Sequence, residues 1–165
     1  MWLSDRRAFL GGLMAVFGLV GCGFTPLHAP GEAASRLQGR IVVDAPVDRN
    51  GYLLVRRMEE RLGRSDAPAY GLSLAIDVKE ERMAISADNI TTRFNVIGRA
   101  TYALRDLEDG KVLMSGTADS FTGYSATGST VATQAAERDA YARLMTILAD
   151  QIVSRLTAQA DALPS

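Results

Sequence analysis

Side chains that could perform catalytic chemistry are scarce in this sequence. The 165 residues include one cysteine, Cys22, and one histidine, His28. Both lie near the N-terminus, ahead of every segment with the periodicity of a folded domain. Cysteine–histidine nucleophile pairs, metal sites built from cysteine and histidine, and a Ser-His-Asp triad are therefore excluded. We interpret His28 as a solvated residue with no catalytic partner.

Paired carboxylates are the remaining groups that could act together as a general acid and base. They occur at Glu80-Glu81 and at Glu108-Asp109. Both pairs are adjacent residues at a strand end or in a turn, where they indicate solvation rather than a two-carboxylate hydrolase. The sequence also has no phosphate-binding or dinucleotide-binding glycine motif. We therefore expect a binding or assembly protein that is not an enzyme and uses no cofactor or metal.

The N-terminus has the organisation of an export signal. Arg6 and Arg7 precede an apolar stretch, Ala8 to Val20, which is too short to span a bilayer because a membrane helix needs about 20 residues. This length favours a cleaved signal peptide over an uncleaved membrane anchor. An ordinary secretory signal fits less well, because no Ala-x-Ala triplet follows the apolar stretch. The Arg6-Arg7 pair leaves both the Sec and the twin-arginine export routes open.

The end of this stretch, Leu19-Val20-Gly21-Cys22, resembles the bacterial lipoprotein signal. The resemblance implies cleavage between Gly21 and Cys22 and a lipid, with palmitate among its acyl chains, attached to Cys22. Several acyl chains on one residue anchor a protein stably, whereas a single chain does not. Gly23 stands where an aspartate would resemble an inner-membrane retention signal, so the outer membrane is the expected destination.

The charge of the mature chain argues against nucleic-acid binding. Removal of residues 1–21 takes away two of 18 basic and one of 19 acidic side chains, which leaves a net charge of about −2. Such a chain has no broad basic field for phosphate contacts. Residues 22–36 contain Pro26, Pro30 and Gly31 without any period, and we interpret them as a lipidated tether.

The rest of the chain alternates between strand and helix patterns. Period-two segments predict four strands, and apolar residues at helical spacing predict two helices. Asp109-Gly110 predicts a hairpin turn between the last two strands, and residues 122–128 are expected to form a loop. In chain order the predicted elements are strand Leu37–Asp44, helix Tyr52–Leu62, strand Leu72–Ile85, strand Thr91–Arg105, strand Val112–Phe121 and a helix from Ser129 or Thr130 to Gln159.

This order predicts an α+β fold. We expect a two-layer sandwich with a four-stranded, mostly antiparallel sheet and two helices on one face, in the order β-α-β-β-β-α. Residues 37–159 would form this single domain, and residues 160–165 a frayed tail. In the longest strand Val96, Ala100 and Leu104 would face the helices. The opposite sheet face, with Arg93 and Arg105, is expected to meet water or a partner.

Several short segments together resemble one family. These are Gly21-Cys22-Gly23-Phe24-Thr25-Pro26-Leu27 after the leader, Arg99-Ala100-Thr101-Tyr102-Ala103-Leu104-Arg105-Asp106 before the hairpin, and Ala136-Glu137-Arg138-Asp139-Ala140 in the last helix. With the β-α-β-β-β-α order, they resemble LptE, the lipoprotein of outer-membrane lipopolysaccharide assembly. The likeness covers nearly all of the mature chain.

The resemblance implies a lipid-anchored protein on the periplasmic side of the outer membrane. It would act as a plug inside the β-barrel LptD, help that barrel to assemble, bind lipopolysaccharide and support its transport to the cell surface. The alternative is a stand-alone periplasm-facing lipoprotein that binds lipids or auxiliary transport proteins. The barrel contact is expected near residues 122–128 and on exposed faces.

Three arginines on one side of the longest strand are the candidate lipopolysaccharide-binding residues: Arg93, Arg99 and Arg105. Guanidinium groups suit the phosphates of lipid A. The alternative is that they are ordinary exposed residues of an open sheet face. Some relatives use basic residues in the loop before this strand and near the start of the last helix. This chain has Ala87-Asp88-Asn89 and Thr133-Gln134 in those regions, so phosphate recognition there is not expected.

Overall fold

The structure is a computed structural model that describes residues 36–85 and 91–163. Cys22, His28, residues 22–35 of the tether and the turn at Ala87-Asp88-Asn89 lie outside the described residues. The elements in chain order are β1 (Ile41–Val43), α1 (Arg49–Leu62), β2 (Tyr70–Ile85), β3 (Thr91–Asp106), β4 (Val112–Ser125), α2 (Thr130–Ala158) and a short 3-10 helix (Ala160–Ala162). This is the predicted order β-α-β-β-β-α.

The four strands form one mixed sheet in the order β1-β2-β3-β4. β1 runs parallel to β2, whereas the β2–β3 and β3–β4 pairs are antiparallel. The parallel pair follows from α1, which carries the chain back to the starting end of the sheet before β2 begins. The predicted α+β fold, with a mostly antiparallel four-stranded sheet, is confirmed.

Several boundaries differ from the predicted ones for local reasons. β1 starts only at Ile41, because the chain turns at Gly39, whose φ is 67° and whose N–H donates to the Leu62 carbonyl at 2.8 Å. α1 starts at Arg49, because the Asp48 carboxylate accepts a hydrogen bond from the Gly51 N–H at 2.7 Å. Side-chain caps of this kind satisfy backbone donors that helix periodicity does not reveal.

β4 continues through most of the segment that was predicted as a loop. Tyr124 is buried, and the Thr122 hydroxyl donates to the Ala140 carbonyl of α2 at 2.9 Å. Near its start, β4 has a register shift that places Val112 opposite Arg105 on the exposed side, whereas Met114, two residues later, is buried. After α2, the 3-10 helix is followed by Leu163, which is buried in the core.

Both helices pack on the same face of the sheet, and the core lies between the two layers. The fully buried side chains come from all the long elements. They include Leu54 and Met58 of α1, Leu72 of β2, Val96, Ala100 and Leu104 of β3, and Leu144, Met145, Leu148, Ile152 and Leu156 of α2. The inward set of β3 agrees with the predicted alternation.

An ion-pair cluster on the outer surface ties α1 to α2. Arg57 donates to both carboxylate oxygens of Asp150, each at 3.1 Å, and Arg61 donates to the same carboxylate at 3.0 Å. The two arginines are partners of α2, a contact that sequence spacing does not reveal because 93 residues separate Arg57 from Asp150.

Candidate binding surface

The face of the sheet that carries no helix is the candidate binding surface, and we call it the open face. Its residues alternate with the buried ones along β2, β3 and β4. It includes Ser73, Ala75, Asp77 and Lys79 of β2, Arg93, Asn95, Ile97, Arg99, Thr101 and Arg105 of β3, and Ser115, Thr117, Asp119 and Phe121 of β4. All three predicted arginines therefore lie on this face.

Arg105 is held by residues of two neighbouring strands. Its guanidinium donates to the two carboxylate oxygens of Asp44 at 2.6 and 3.1 Å, and it also donates to the Ser73 hydroxyl. Gly71 lies opposite Arg105 in the sheet, and a Cβ there would meet the guanidinium carbon at 2.9 Å. The missing side chain of Gly71 thus allows Arg105 to cross β2 and reach the end of β1.

This ion pair shifts the pKa of both partners. Hydrogen bonds from Arg105 lower the pKa of the Asp44 carboxyl, and the same carboxylate raises the pKa of Arg105. A carboxyl group whose pKa is lowered in the folded state stabilises the protein above its unfolded pKa, about 3.9 for aspartate. That stabilisation is lost as the pH falls through the folded pKa.

Asp44→Asn is therefore expected to lower the free energy of unfolding at pH 7 by up to about 1 kcal/mol, since the pair is partly exposed. The difference from wild type should shrink as the pH falls below about 4, because Asp44 is then protonated in the unfolded chain first, and it should vanish below the lowered pKa of folded Asp44. Urea unfolding at pH 7 and at pH 3 measures both values. Asp66→Asn, at an exposed bend, is the matched control. A difference that stays constant with pH would contradict a role for the Asp44 carboxylate.

Arg99 is paired as well, but in a more exposed position. Its Nε donates to Asp119 Oδ1 at 2.6 Å across the β3–β4 pair, and both side chains are more than half exposed. The hydrogen bond to Asp119 raises the pKa of Arg99, and the charge of Asp77 adds to this effect. Because the pair is solvated, its contribution to stability is small and its guanidinium stays accessible.

Arg93 is exposed near the start of β3, and within residues 36–85 and 91–163 no carboxylate pairs with it. Twelve positions separate it from Arg105, which corresponds to about 40 Å along a strand. The structure therefore does not bring the three arginines together around one phosphate. They form a line along β3, in which Arg93 is the guanidinium without an ion pair in the described part of the chain.

The open face also carries one apolar pair. Ile97 and Phe121 lie directly opposite each other in the β3–β4 ladder, and their exposed fractions are 37% and 66%. An exposed aromatic ring surrounded by polar and charged groups is typical of the centre of a protein interface. Sequence alternation placed each of these residues on this face, but only the register between the strands shows that they are neighbours.

The helix-covered side has a polar end near the start of α2. Phe94 and Tyr124 stack with ring centroids 5.1 Å apart, and the Tyr124 hydroxyl donates to Glu80 at 3.0 Å. Burial and this carboxylate raise the pKa of Tyr124. Burial, with the nearby charges of Glu80 and Glu137, also raises the pKa of Tyr141. This cluster closes the end of the core and offers no reactive nucleophile at neutral pH.

Among residues 36–85 and 91–163, no group of three or more histidine, cysteine, aspartate or glutamate side chains is placed to hold a metal ion. None of the helices in that part of the chain is long and apolar enough to cross a membrane. The open face, with its exposed Ile97–Phe121 pair, is the main candidate for contact with a partner.

Comparison with solved structures finds the same fold in several bacterial proteins. A crystal structure from Caulobacter crescentus CB15, described as a lipoprotein, is 26% identical, with a TM-score of 0.65 and coverage of 78% of this chain and 96% of that one. Rare lipoprotein B from Shewanella oneidensis is 11% identical, with a TM-score of 0.56 and coverages of 73% and 93%. A minor lipoprotein from Acinetobacter baumannii is 16% identical, with a TM-score of 0.52 and coverages of 75% and 92%.

No curated protein matches this chain with significance. The profile of one protein family, LptE, described as lipopolysaccharide-assembly, matches residues 37–156. The matched region starts at buried Leu37 and ends at buried Leu156, so it contains all four strands, α1 and all but the last two residues of α2. The chain therefore belongs to the LptE family of lipopolysaccharide-assembly proteins.

Proposed function

We propose that this protein is an outer-membrane lipoprotein that serves lipopolysaccharide transport as the plug and assembly factor of the β-barrel LptD. It would be anchored on the periplasmic side by a lipid on Cys22, after cleavage between Gly21 and Cys22. The observation that carries this proposal is the family match over residues 37–156, which spans the two-layer domain. An enzymatic role is not part of it.

The open face supports a role as a plug. The lumen of a wide outer-membrane barrel is polar, and a plug needs a polar surface toward it. The open face offers serine, threonine and charged side chains, and its ion pairs Arg99–Asp119 and Arg105–Asp44 keep many of those charges balanced. Phe121 and Ile97 would supply the apolar centre of the contact.

The arginine line suggests how such a plug would meet lipopolysaccharide. Arg93 would contact phosphate first, because its guanidinium has no ion pair in the described part of the chain. Arg99 would have to exchange Asp119 for a phosphate, which its exposed position allows. Arg105 would have to leave both Asp44 and Ser73, so we assign it mainly to holding β1 against the sheet.

The proposal is tested by purifying a C-terminally tagged copy from detergent-solubilised outer membranes. We expect a large β-barrel protein to be recovered with it in a constant ratio. Depletion of the protein should reduce surface lipopolysaccharide and lead to accumulation of unassembled barrel. Recovery of the tagged protein without any barrel would contradict the plug and favour the stand-alone lipoprotein.

A matched pair of variants locates the contact within the same experiment. Phe121→Asp should reduce barrel recovery by about 10-fold or more, as expected for an aromatic residue at the centre of an interface. Val131→Asp changes an apolar residue of α2 that is 77% exposed, and it should leave recovery unchanged. Equal recovery with both variants would remove Phe121 from the contact, and equal loss would point to a folding defect.

A further inference from the structure

The outer side of β2 is only partly covered by β1. β1 pairs with residues 70–72 of β2. The ladder ends with the bond from the Asp44 N–H to the Leu72 carbonyl at 2.9 Å, after which the chain leaves the sheet and enters α1. β2 continues to Ile85, and no strand in the described part of the chain pairs with its outer side there.

Neighbouring bonds give the direction of the backbone groups on this side of β2. The Tyr70 N–H donates to the Arg40 carbonyl at 3.1 Å, and the Leu72 carbonyl accepts from the chain after β1. Even-numbered residues of β2 thus point their N–H and C=O groups outward, whereas odd-numbered residues bond to β3. The β2–β3 register stays regular to Arg82 and shifts beyond it. Residues 74–82 therefore present a row of outward backbone groups, and we call them the free edge.

The opposite edge of the sheet, β4, is protected by arginines of α2. Because odd-numbered residues of β3 bond to β2, its even-numbered residues bond to β4, and the odd-numbered residues of β4 point outward. Arg155 donates to the outward carbonyl of Thr117, and Arg143 donates to that of Gly123 at 3.2 Å. Charged side chains at a sheet edge oppose pairing with another strand. The two edges of the sheet therefore differ, and β2 has the edge that can accept a strand.

An apolar cleft of about 300 Å³ lies beside the first part of the free edge, next to the start of α1. Val55, Leu74 and Ile76 are among its lining residues. Leu74, Ile76 and Val78 pack against the core but are only partly buried. A free strand edge beside such a cleft is the arrangement that binds an added strand, through backbone bonds and alternate side chains.

The charges at the cleft determine which kind of segment fits. Its described lining contains the carboxylates of Asp44 and Asp48 and no lysine or arginine. Asp44 is held by Arg105, whereas Asp48 caps α1 and forms no ion pair within residues 36–85 and 91–163. The complementary occupant is therefore an extended segment with apolar side chains at alternate positions and a lysine or arginine beside Asp48.

The proposed barrel partner can supply such a segment only from a loop. Every strand of a closed barrel wall is already paired on both sides, so the wall itself cannot add a strand to the free edge. The free edge adjoins the open face, because Asp77 and Lys79 of the same stretch lie on that face. One barrel can therefore contact both surfaces. The chain's own segment 22–35 fits less well, because it contains no lysine or arginine.

We propose that the free edge of β2 binds an extended loop segment of the barrel partner that folds into the barrel lumen. The segment is apolar at alternate positions and basic beside Asp48, and it adds a fifth strand to the sheet. The outward N–H groups of Ile76, Val78 and Glu80 gain backbone acceptors from it. The proposal rests on the proposed plug function and adds to it a specific contact that holds the plug in place.

Hydrogen exchange at single amides tests this contact in the complex of the full-length lipidated protein with its barrel. The amides of Ile76, Val78 and Glu80 should exchange more slowly in the complex than in the free protein, by about 10-fold or more. The amides of Asp77 and Lys79 already bond to β3, so they should be slow in both states and report that the sheet is intact.

Val78→Pro tests the backbone bonds directly. It removes the central outward N–H and leaves the β2–β3 bonds in place, because even-numbered residues do not bond to β3. Val78→Ala is the matched control, since it shortens the same side chain and keeps the N–H. Val78→Pro should reduce recovery of the barrel by about 10-fold relative to Val78→Ala. Both variants should unfold at similar urea concentrations, which excludes a folding defect.

Asp48→Asn tests the charge of the segment. Asparagine caps a helix as well as aspartate does, so α1 keeps its cap and only the charge is lost. Recovery of the barrel should fall several-fold at low salt, and the difference from wild type should shrink at high salt because the attraction is screened. Asp66→Asn, at an exposed bend, is the control and should recover the barrel as wild type does.

Four results would overturn the proposal. If the wild-type protein recovers its barrel but the three outward amides exchange equally fast in both states, the added strand is refuted and the plug stands. The same holds if Val78→Pro recovers as much barrel as Val78→Ala. Slow exchange in the free protein that is lost when residues 22–35 are deleted would assign the edge to the chain's own segment. Failure of the wild-type protein to recover any barrel would refute the plug function together with this contact.

Discussion

Cys22→Ser is expected to abolish lipid attachment, which is the largest effect of any single substitution in this protein. The thiol is the only group in the leader region that can carry the lipid, and serine at this position offers none. The variant should accumulate as uncleaved precursor or as soluble protein, and it should be lost from the outer-membrane fraction. Labelling of cells with radioactive palmitate, followed by membrane fractionation, measures both outcomes.

His28→Ala is the matched control for this experiment, because it lies in the same segment and changes a side chain with no expected role. It should keep wild-type palmitate labelling and wild-type localisation. A Cys22→Ser protein that is cleaved normally and still fractionates with the outer membrane would refute the lipoprotein signal. Such a result would leave the fold unaffected, because the described domain starts well after Cys22.

Gly98→Val is expected to destabilise the fold by about 3 kcal/mol, the second large effect, because it forces extra atoms into a closely packed layer. A Cβ at Gly98 would meet Leu144 Cδ2 at 2.9 Å and Leu148 Cδ1 at 3.1 Å. Both leucines are fully buried in α2, so neither has space to move away. The free energy of unfolding in urea measures the loss.

Two further variants separate this clash from other effects of the substitution. Thr101→Val, on the exposed side of the same strand, should change stability by less than about 0.5 kcal/mol. Leu144→Ala in the Gly98→Val background should cost much less than Leu144→Ala in wild type, because the new valine side chain fills part of the vacated space. Additive losses in this double-mutant cycle would contradict direct packing of α2 on β3 at Gly98.

Much of the fold can be predicted from local patterns in this sequence. Alternation in β3 identifies Val96, Ala100 and Leu104 as inward residues, because successive side chains of a strand point to opposite faces. Asp-Gly at the hairpin and Ser129 before α2 mark their elements through turn and cap chemistry. The predicted boundaries of elements were less accurate where a distant contact decides them. The end of β4 is an example, because the Thr122 hydroxyl donates to the Ala140 carbonyl of α2 and helps to extend the strand.

The candidate surface could be predicted in part. Alternation places Arg93, Arg99 and Arg105 on one face, and this is what the structure shows. Alternation does not reveal which of these arginines forms an ion pair, because their partners are set by the strand register. Asp44 lies 61 residues before Arg105. Arg105 reaches it across Gly71, whose missing side chain leaves the necessary space only in the assembled sheet.

By itself, the sequence determined the element order, the α+β class and the buried faces of β2 and β3. These properties depend on short-range spacing, which the chain carries locally. Only the tertiary structure decided the parallel placement of β1, the ion pairs of Arg99 and Arg105 and the exposed Ile97–Phe121 pair. Each of these depends on which strands become neighbours and in what register, and residues far apart in the chain set that register together.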